Sequence, residues 1–257
     1  MESMNKIEAV LFDLDGTLLD SYPDFLAALE IINPNKSKKI IDKSLVRANI
    51  SGGSSRLLEV AFDINKNDKS LNDLKRKFLH EYEKNIFMHG ALFDGISETL
   101  NFLLDKNIPY GIVTNKPRKY TEIILKKSSL LRQSKVVICC DDGFKSKPDP
   151  AGINHACNIL GVSNSKCIYI GDHSNDINAA VAANTLWGAC FYGYGFMPVL
   201  RDMPIFHDEK YAIENHAIED PFSRNERGSI SWAASNKDGA EVFDNPKEIL
   251  GFLKKHV

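Results

Sequence analysis

Four short apolar runs constrain this chain more than any other feature: "VLF" at 10–12, "IPYGIVTN" at 108–115, "SKVVICC" at 134–140 and "KCIYIGD" at 166–172. Each is nearly continuous in apolar residues, as strands buried on both faces of a parallel sheet are. Between and after them lie helical patterns in "ISETLNFLLDK", "RKYTEIILKKS" and "AGINHACNILG"; in the first, Ile96, Leu100, Leu103 and Leu104 share one side. Strands alternating with helices imply right-handed crossovers and an α/β class with a Rossmann-like parallel sheet. A further strand is expected in "TLWGACFYG", and "NPKEILGFLKKH" reads as a closing helix with Pro246 in its first turn.

Two segments interrupt the alternation. Residues 22–88 carry helical patterns in "PDFLAALEII", "RLLEVAF" and "LNDLKRKFLHEYEKNIF", with turn-forming "NPNKS" and "SGGSS" between them. They read as an all-helical cap inserted into a core formed by 1–21 and 89–257. Residues 193–231 hold turn residues and charges without a sustained period, and read as an extra insert within that core. No internal repeat or low-complexity tract is present.

The polar residues that end the strands carry the chemistry, because ligands of open α/β sheets bind outside the carboxyl ends of the strands. Asp13 and Asp15 follow the first run, Thr114 and Asn115 the second, and Asp172 and Asp176 the last. Like charges gathered at one edge repel unless a cation lies among them, and hard oxygen ligands of this kind suit Mg²⁺. Lys147 in "KSKPDP" offers a fixed positive charge in a loop shaped by two prolines. A metal, a lysine and hydroxyl and amide donors facing an anionic substrate fit phosphoryl transfer, which depends on positioning and charge neutralisation.

In order and spacing, "DLDGTLLDS", "VTN", "KPDP" and "GDHSND" resemble the four signature motifs of the haloacid dehalogenase-like superfamily, in particular its phosphoglycolate phosphatase branch. The resemblance covers nearly the whole chain apart from 193–231. It implies Mg²⁺-dependent hydrolysis of a small phosphate monoester, with 2-phosphoglycolate as the leading substrate and an aspartyl-phosphate intermediate. Asp13 is then the nucleophile, and Asp15 the group that protonates the leaving oxygen and later activates water. Thr114 and Asn115 hold the phosphoryl oxygens, although Thr114-Asn115 also suits a helix cap before "KPRKY". Lys147 neutralises charge. Asp172 binds the metal with Asp13 and the backbone carbonyl of Asp15, while Asp176 orients these ligands from behind. His173 stands where the family usually has a small serine-like residue.

Arg56 in the helical segment is a candidate contact for a substrate carboxylate, since guanidinium binds carboxylates in bidentate fashion. The family's strand order puts the strand in "TLWGACFYG" at the sheet edge, so the 193–231 insert should begin roughly 10 Å from Asp13 at ~4.8 Å per strand. It is therefore read as accessory, packing beside the core or mediating assembly. The rival readings are a sugar-phosphate phosphatase or phosphomutase of the same fold and a catalytically idle interaction protein; the complete set of Asp13, Asp15, Lys147 and Asp172 argues against the latter.

Bulk properties agree with a soluble globular protein. Of 257 residues, 43% are hydrophobic and 26% charged, and a net charge of -2 gives no electrostatic reason to expect nucleic acid or a membrane surface as partner. The expected partner is a small phosphorylated metabolite. "MESMNKIEAV" lacks the features of a secretory signal, so the expected location is cytoplasmic. The five cysteines show no disulfide or zinc spacing and read as small buried hydrophobes. The seven histidines form no metal-binding pair on a helix.

Overall fold

The computed structural model describes residues 6–33, 42–196, 222–224, 230–232 and 240–257. Strand β1 (Ala9–Phe12) lies near the middle of a parallel sheet with β4 (Tyr110–Val113), β5 (Val136–Ile138), β6 (Cys167–Gly171), β7 (Leu186–Cys190) and β10 (Ala240–Phe243), in the order β10-β7-β6-β1-β4-β5. Every pairing in it is parallel. Phe12 is in register with Ile112 on one side and Ile170 on the other, so the residues after these strands emerge side by side.

Alternate residues of each strand face opposite layers. Val10, Phe12, Ile112 and Ile170 pack with α5 (Ile96–Asp105) and the last helix, α9 (Pro246–His256). Leu11, Val113 and Tyr169 pack against α7 (Ala151–Leu160) and α8 (Ser174–Ala182). Burying each large apolar side chain contributes roughly 1.5–3 kcal/mol, which explains why the strand sequences are almost uninterrupted by polar residues. Helix α6 (Arg118–Lys127) follows β4. All five cysteines are free. Among the described residues no helix is long and apolar enough to cross a membrane.

The helical segment leaves and rejoins the core through a two-stranded antiparallel sheet of β2 (Leu19–Asp20) and β3 (Ala91–Leu92). Asp24, buried in the first turn of α1 (Tyr22–Ile32), accepts backbone N–H groups from Phe87 at 2.6 Å, Met88 at 3.2 Å, His89 at 2.8 Å and Gly90 at 3.0 Å. One carboxylate thus fastens the returning chain to the departing one. Helix α4 (Leu71–Asn85) packs on α1 and α3 (Gly53–Phe62) through Phe78 and Tyr82.

Several expectations change. "SGGSS" is not simply a turn: Ser51 and Gly52 end a 3₁₀ turn, and α3 starts at Gly53. Helix α2 (Lys43–Ala48) was not legible as a periodic pattern; Asp42 caps it by accepting from Ser44 N at 2.7 Å. The strand of "TLWGACFYG" is not the sheet edge, because β10 pairs with it along Ala240–Phe243. In the 193–231 insert the structure describes residues 193–196 and a short antiparallel pair, β8 (Phe222–Arg224) with β9 (Ile230–Trp232). The remainder of the insert, and with it the expectation of an accessory role there, lies outside the described residues.

Candidate active site

The parallel register delivers Asp13, Thr114 and Asp172 to one edge, since each is the residue directly after its strand. Asp13 N donates to Ile170 O at 2.9 Å, and Thr114 N to Ile138 O at 2.9 Å, so the ladder extends into the site. Lys147 is 6% exposed, and its ammonium lies 2.8 Å from Asp13 Oδ1, 2.7 Å from Asp176 Oδ1 and 2.7 Å from Tyr169 Oη. Burial acts to lower its pKa, but Asp13 and Asp176 outweigh that, and Lys147 is held above the ordinary lysine value. Asn115 fixes the backbone at Lys147 from both sides: its Nδ2 donates to Lys147 O at 3.0 Å and its Oδ1 accepts Lys147 N at 2.9 Å. Thr114 is buried, and its Oγ1 accepts Lys116 N at 3.2 Å.

Asp13, Asp172 and Asp176 each bring one carboxylate oxygen within 4.8 Å of the others. Burial, followed by its acidic neighbours, raises Asp172 well above the ordinary carboxylate range, against the pull of the Tyr194 and Gly195 N–H groups. Burial likewise pushes Asp13 up to about 6, although Lys147 opposes it. Three carboxylates share one lysine, and Asp13 Oδ1 is buried with no hydrogen bond beyond its ion pair. The donor set is all oxygen. These residues fit a hard divalent cation. Asp176 brings one oxygen into this cluster while its carboxylate also holds Lys147 Nζ at 2.7 Å and accepts His173 N at 2.9 Å. Asp15 does not join it by its side chain; that carboxylate turns to Lys116 at 2.8 and 3.0 Å.

The "DGT" residues serve this packing. Gly16 has φ 87°, and a Cβ there would lie 2.2 Å from Asp172 Oδ2, so both the backbone and the space require glycine. Thr17 Oγ1 donates to Asp172 Oδ1 at 3.1 Å. His173 caps α8 by accepting Asn175 N at 3.1 Å while Asp176 Oδ2 accepts His173 N at 2.9 Å, a reciprocal capping arrangement that accounts for a polar residue there.

Sequence reasoning missed two contributors. Lys116 carries no motif of its own. Beyond β7, the chain turns back on the site: Tyr194 N donates to Asp172 Oδ2 at 2.8 Å, Gly195 N to the same oxygen at 3.2 Å, and Tyr194 Oη to Asp20 Oδ1 at 2.8 Å. Gly193 is required because a Cβ would stand 2.3 Å from Asp172 Cβ. The expectation that this segment starts some distance from the site is therefore corrected. The strand spacing was counted properly, but the turn after Cys190 folds inward over Asp172.

A cavity of about 320 Å³ opens between the sheet edge and the helical segment. Its floor includes Asp13, Asp15, Thr114, Asn115, Lys147 and Asp176; its roof includes Phe25, Leu57, Lys75, Phe78 and Tyr82. Phe25 and Tyr82 stack with centroids 4.3 Å apart. Arg56 does not line the cavity: its Nε donates to Asn49 Oδ1 at 3.0 Å and Nη1 lies 3.5 Å from Glu59.

A family model for haloacid dehalogenase-like hydrolases matches residues 10–189, which spans the four motifs and the helical segment. The chain belongs to this family. Within it, an N-acetylmuramic acid 6-phosphate phosphatase from Pseudomonas putida is 35% identical over 189 residues, covering 74% of this chain and 85% of its own length. A phosphoglycolate phosphatase from Xanthomonas campestris is 37% identical over 186 residues, covering 72% of this chain and 84% of its own. The fold of a haloacid dehalogenase-like family protein from Streptococcus pneumoniae is similar, with a TM-score of 0.68 at 18% identity, covering 96% of this chain and 98% of that one. This haloacid dehalogenase-like hydrolase is thus an enzyme of a family whose similar members include phosphatases.

Proposed function

We propose that this hydrolase cleaves a small phosphate monoester in a Mg²⁺-dependent reaction through an aspartyl-phosphate on Asp13. The observation that carries the reading is the position of Asp13 on the cavity floor, ion-paired to Lys147 and facing open space with Asp15 at the same floor. In the first step an Asp13 oxygen forms a bond to phosphorus as the bond to the leaving oxygen breaks, and Asp15 gives its proton to that oxygen. In the second, Asp15 takes a proton from water as the water oxygen bonds phosphorus, and the Asp13–phosphorus linkage breaks to release phosphate. Lys147 offsets the charge on nucleophile and phosphoryl group, with its backbone fixed by Asn115 and the Thr114 hydroxyl alongside. Asp13, Asp172 and Asp176, with the backbone carbonyl of Asp15, would hold the metal, which when bound supplies charge neutralisation for the phosphoryl oxygens.

The leaving group is an alcohol bearing a carboxylate. Of the cavity's three lysines, Lys116 and Lys147 are ion-paired to its aspartates, whereas Lys75 on the roof has no carboxylate partner among the described residues. Glycolate and N-acetylmuramic acid both carry such a group. The cavity's volume falls within the range of pockets for ligands far larger than glycolate, and its roof is aromatic and aliphatic, which favours the sugar acid. The test compares kcat/KM, by phosphate release with Mg²⁺ present, for N-acetylmuramic acid 6-phosphate, 2-phosphoglycolate and N-acetylglucosamine 6-phosphate. The first should lead, and the last, lacking the carboxylate, should trail it by about tenfold or more. Equal values for both amino sugars would remove the carboxylate reading, and no phosphate release from any ester would remove the enzyme reading.

A further inference from the structure

The acid–base aspartate is held by a residue outside the four motifs. Lys116, the third residue after β4, is 7% exposed, and its ammonium donates to Asp15 Oδ2 at 2.8 Å and Oδ1 at 3.0 Å. The same nitrogen donates to Tyr82 Oη at 2.5 Å, and it lies 5.1 Å from the Phe25 ring centre and 4.9 Å from that of Tyr82. Phe25 and Tyr82 belong to α1 and α4, in the roof of the cavity. An ammonium taken out of water is costly unless well paired, so its position is narrowly defined by these contacts. Engaging both carboxylate oxygens at once holds the Asp15 carboxylate head-on to one point charge and restricts its swing more than a single hydrogen bond would. The aromatic faces add attraction for the cation from the roof side.

We propose that Lys116 is a positioning residue that aims the Asp15 carboxyl at the reacting oxygens and ties its orientation to the roof helix α4 through Tyr82. The inference rests on the acid–base reading of Asp15 above. Both steps of that reaction need Asp15, but with unequal urgency. p-Nitrophenolate leaves without a proton, so with p-nitrophenyl phosphate the formation of the aspartyl-phosphate on Asp13 proceeds with little help from Asp15. Hydrolysis of that intermediate still requires Asp15 to take a proton from water. A misaimed Asp15 therefore delays the second step selectively.

Rapid-mixing kinetics with p-nitrophenyl phosphate and Mg²⁺, combined with acid-quench trapping of the phosphoenzyme, read this directly. Lys116→Met, which keeps the length and removes the charge, should give a burst of nitrophenolate approaching one per enzyme, then a steady rate at least about thirtyfold below wild type, with phosphoenzyme accumulating. Tyr82→Phe retains the ring and decides the matter if the lysine variant does not fold; it should shift the same ratio about threefold or more in the same direction. Burst and steady rates falling together, or no added phosphoenzyme in the folded variants, would overturn the positioning role. Failure of the parent reading looks different: wild type would release no phosphate, or Asp15→Asn would itself accumulate no phosphoenzyme.

Discussion

Lys147 shares one ammonium between Asp13, 2.8 Å away, and Asp176, 2.7 Å away, while Asp172 behind them is held by the Thr17 hydroxyl and the N–H groups of Tyr194 and Gly195. One cation thus serves two of three clustered acids, and the all-oxygen donor set of the three fits a divalent cation.

Asp13→Asn should abolish turnover while leaving the fold intact, because the amide is nearly isosteric but a poor nucleophile. The expected loss is on the order of 4 kcal/mol in activation free energy, or about a thousandfold or more. Steady-state rates of rigorously purified protein check it; appreciable activity would end the aspartyl-phosphate mechanism.

Asp15→Asn should also suppress turnover on p-nitrophenyl phosphate, but the phosphoenzyme that forms should persist. Acid-quenched protein carrying about one stable phosphoryl group per chain is the expected result. Normal turnover would remove the acid–base assignment.

Mg²⁺ should stabilise the protein more as pH rises. Asp13 is pushed up to about 6 from 3.8, so without metal its contribution to stability is complete only below the lower value and is lost as pH rises through about 6. Asp172 is displaced in the same direction. A metal needs both carboxylates deprotonated, so it relieves this loss where they are charged. At one fixed Mg²⁺ concentration, about a hundred times the dissociation constant at pH ~7.5, melting curves should show a rise of roughly 5–10 °C near pH ~7.5 and a smaller one near pH ~5. An equal rise at both would contradict a carboxylate site. Activity should vanish in excess EDTA and return with Mg²⁺, with Ca²⁺ a poor substitute because its looser coordination misplaces the reacting groups.

Asp24→Ala should destabilise the junction between core and helical segment, since four N–H groups from Phe87 to Gly90 lose their acceptor. A loss of about 3 kcal/mol, seen as a fall of roughly 6–12 °C in Tm, is expected. A change within about 1 °C would mean that water replaces the carboxylate without penalty.

Lys75→Ala should raise KM for N-acetylmuramic acid 6-phosphate about tenfold and leave p-nitrophenyl phosphate within about threefold. Arg56→Ala, whose guanidinium is engaged by Asn49 and Glu59 away from the cavity, should affect both substrates alike. A selective effect of Arg56→Ala on the carboxylated ester would return the carboxylate contact to Arg56.

The sequence alone determined the central strands, most of the helices and the family. Continuous apolar runs mark strands buried on both faces, and the polar residues directly after them must emerge at one edge, so the pattern of residues is enough to make Asp13, Thr114 and Asp172 neighbours. Tertiary structure decided what leaves no periodic trace. Lys116 meets Asp15 across 101 residues, Tyr194 meets Asp172 across 22, and Asp24 gathers N–H groups more than 60 residues away. A lysine after a strand looks the same in sequence whether it faces solvent or a carboxylate. Only the juxtaposition of α4, β1 and β4 removes it from water and gives it Asp15 as a partner. The edge strand β10 was hidden for a similar reason: four residues pair with β7 to form it, and pairing between distant segments is a property of the assembled sheet rather than of either strand.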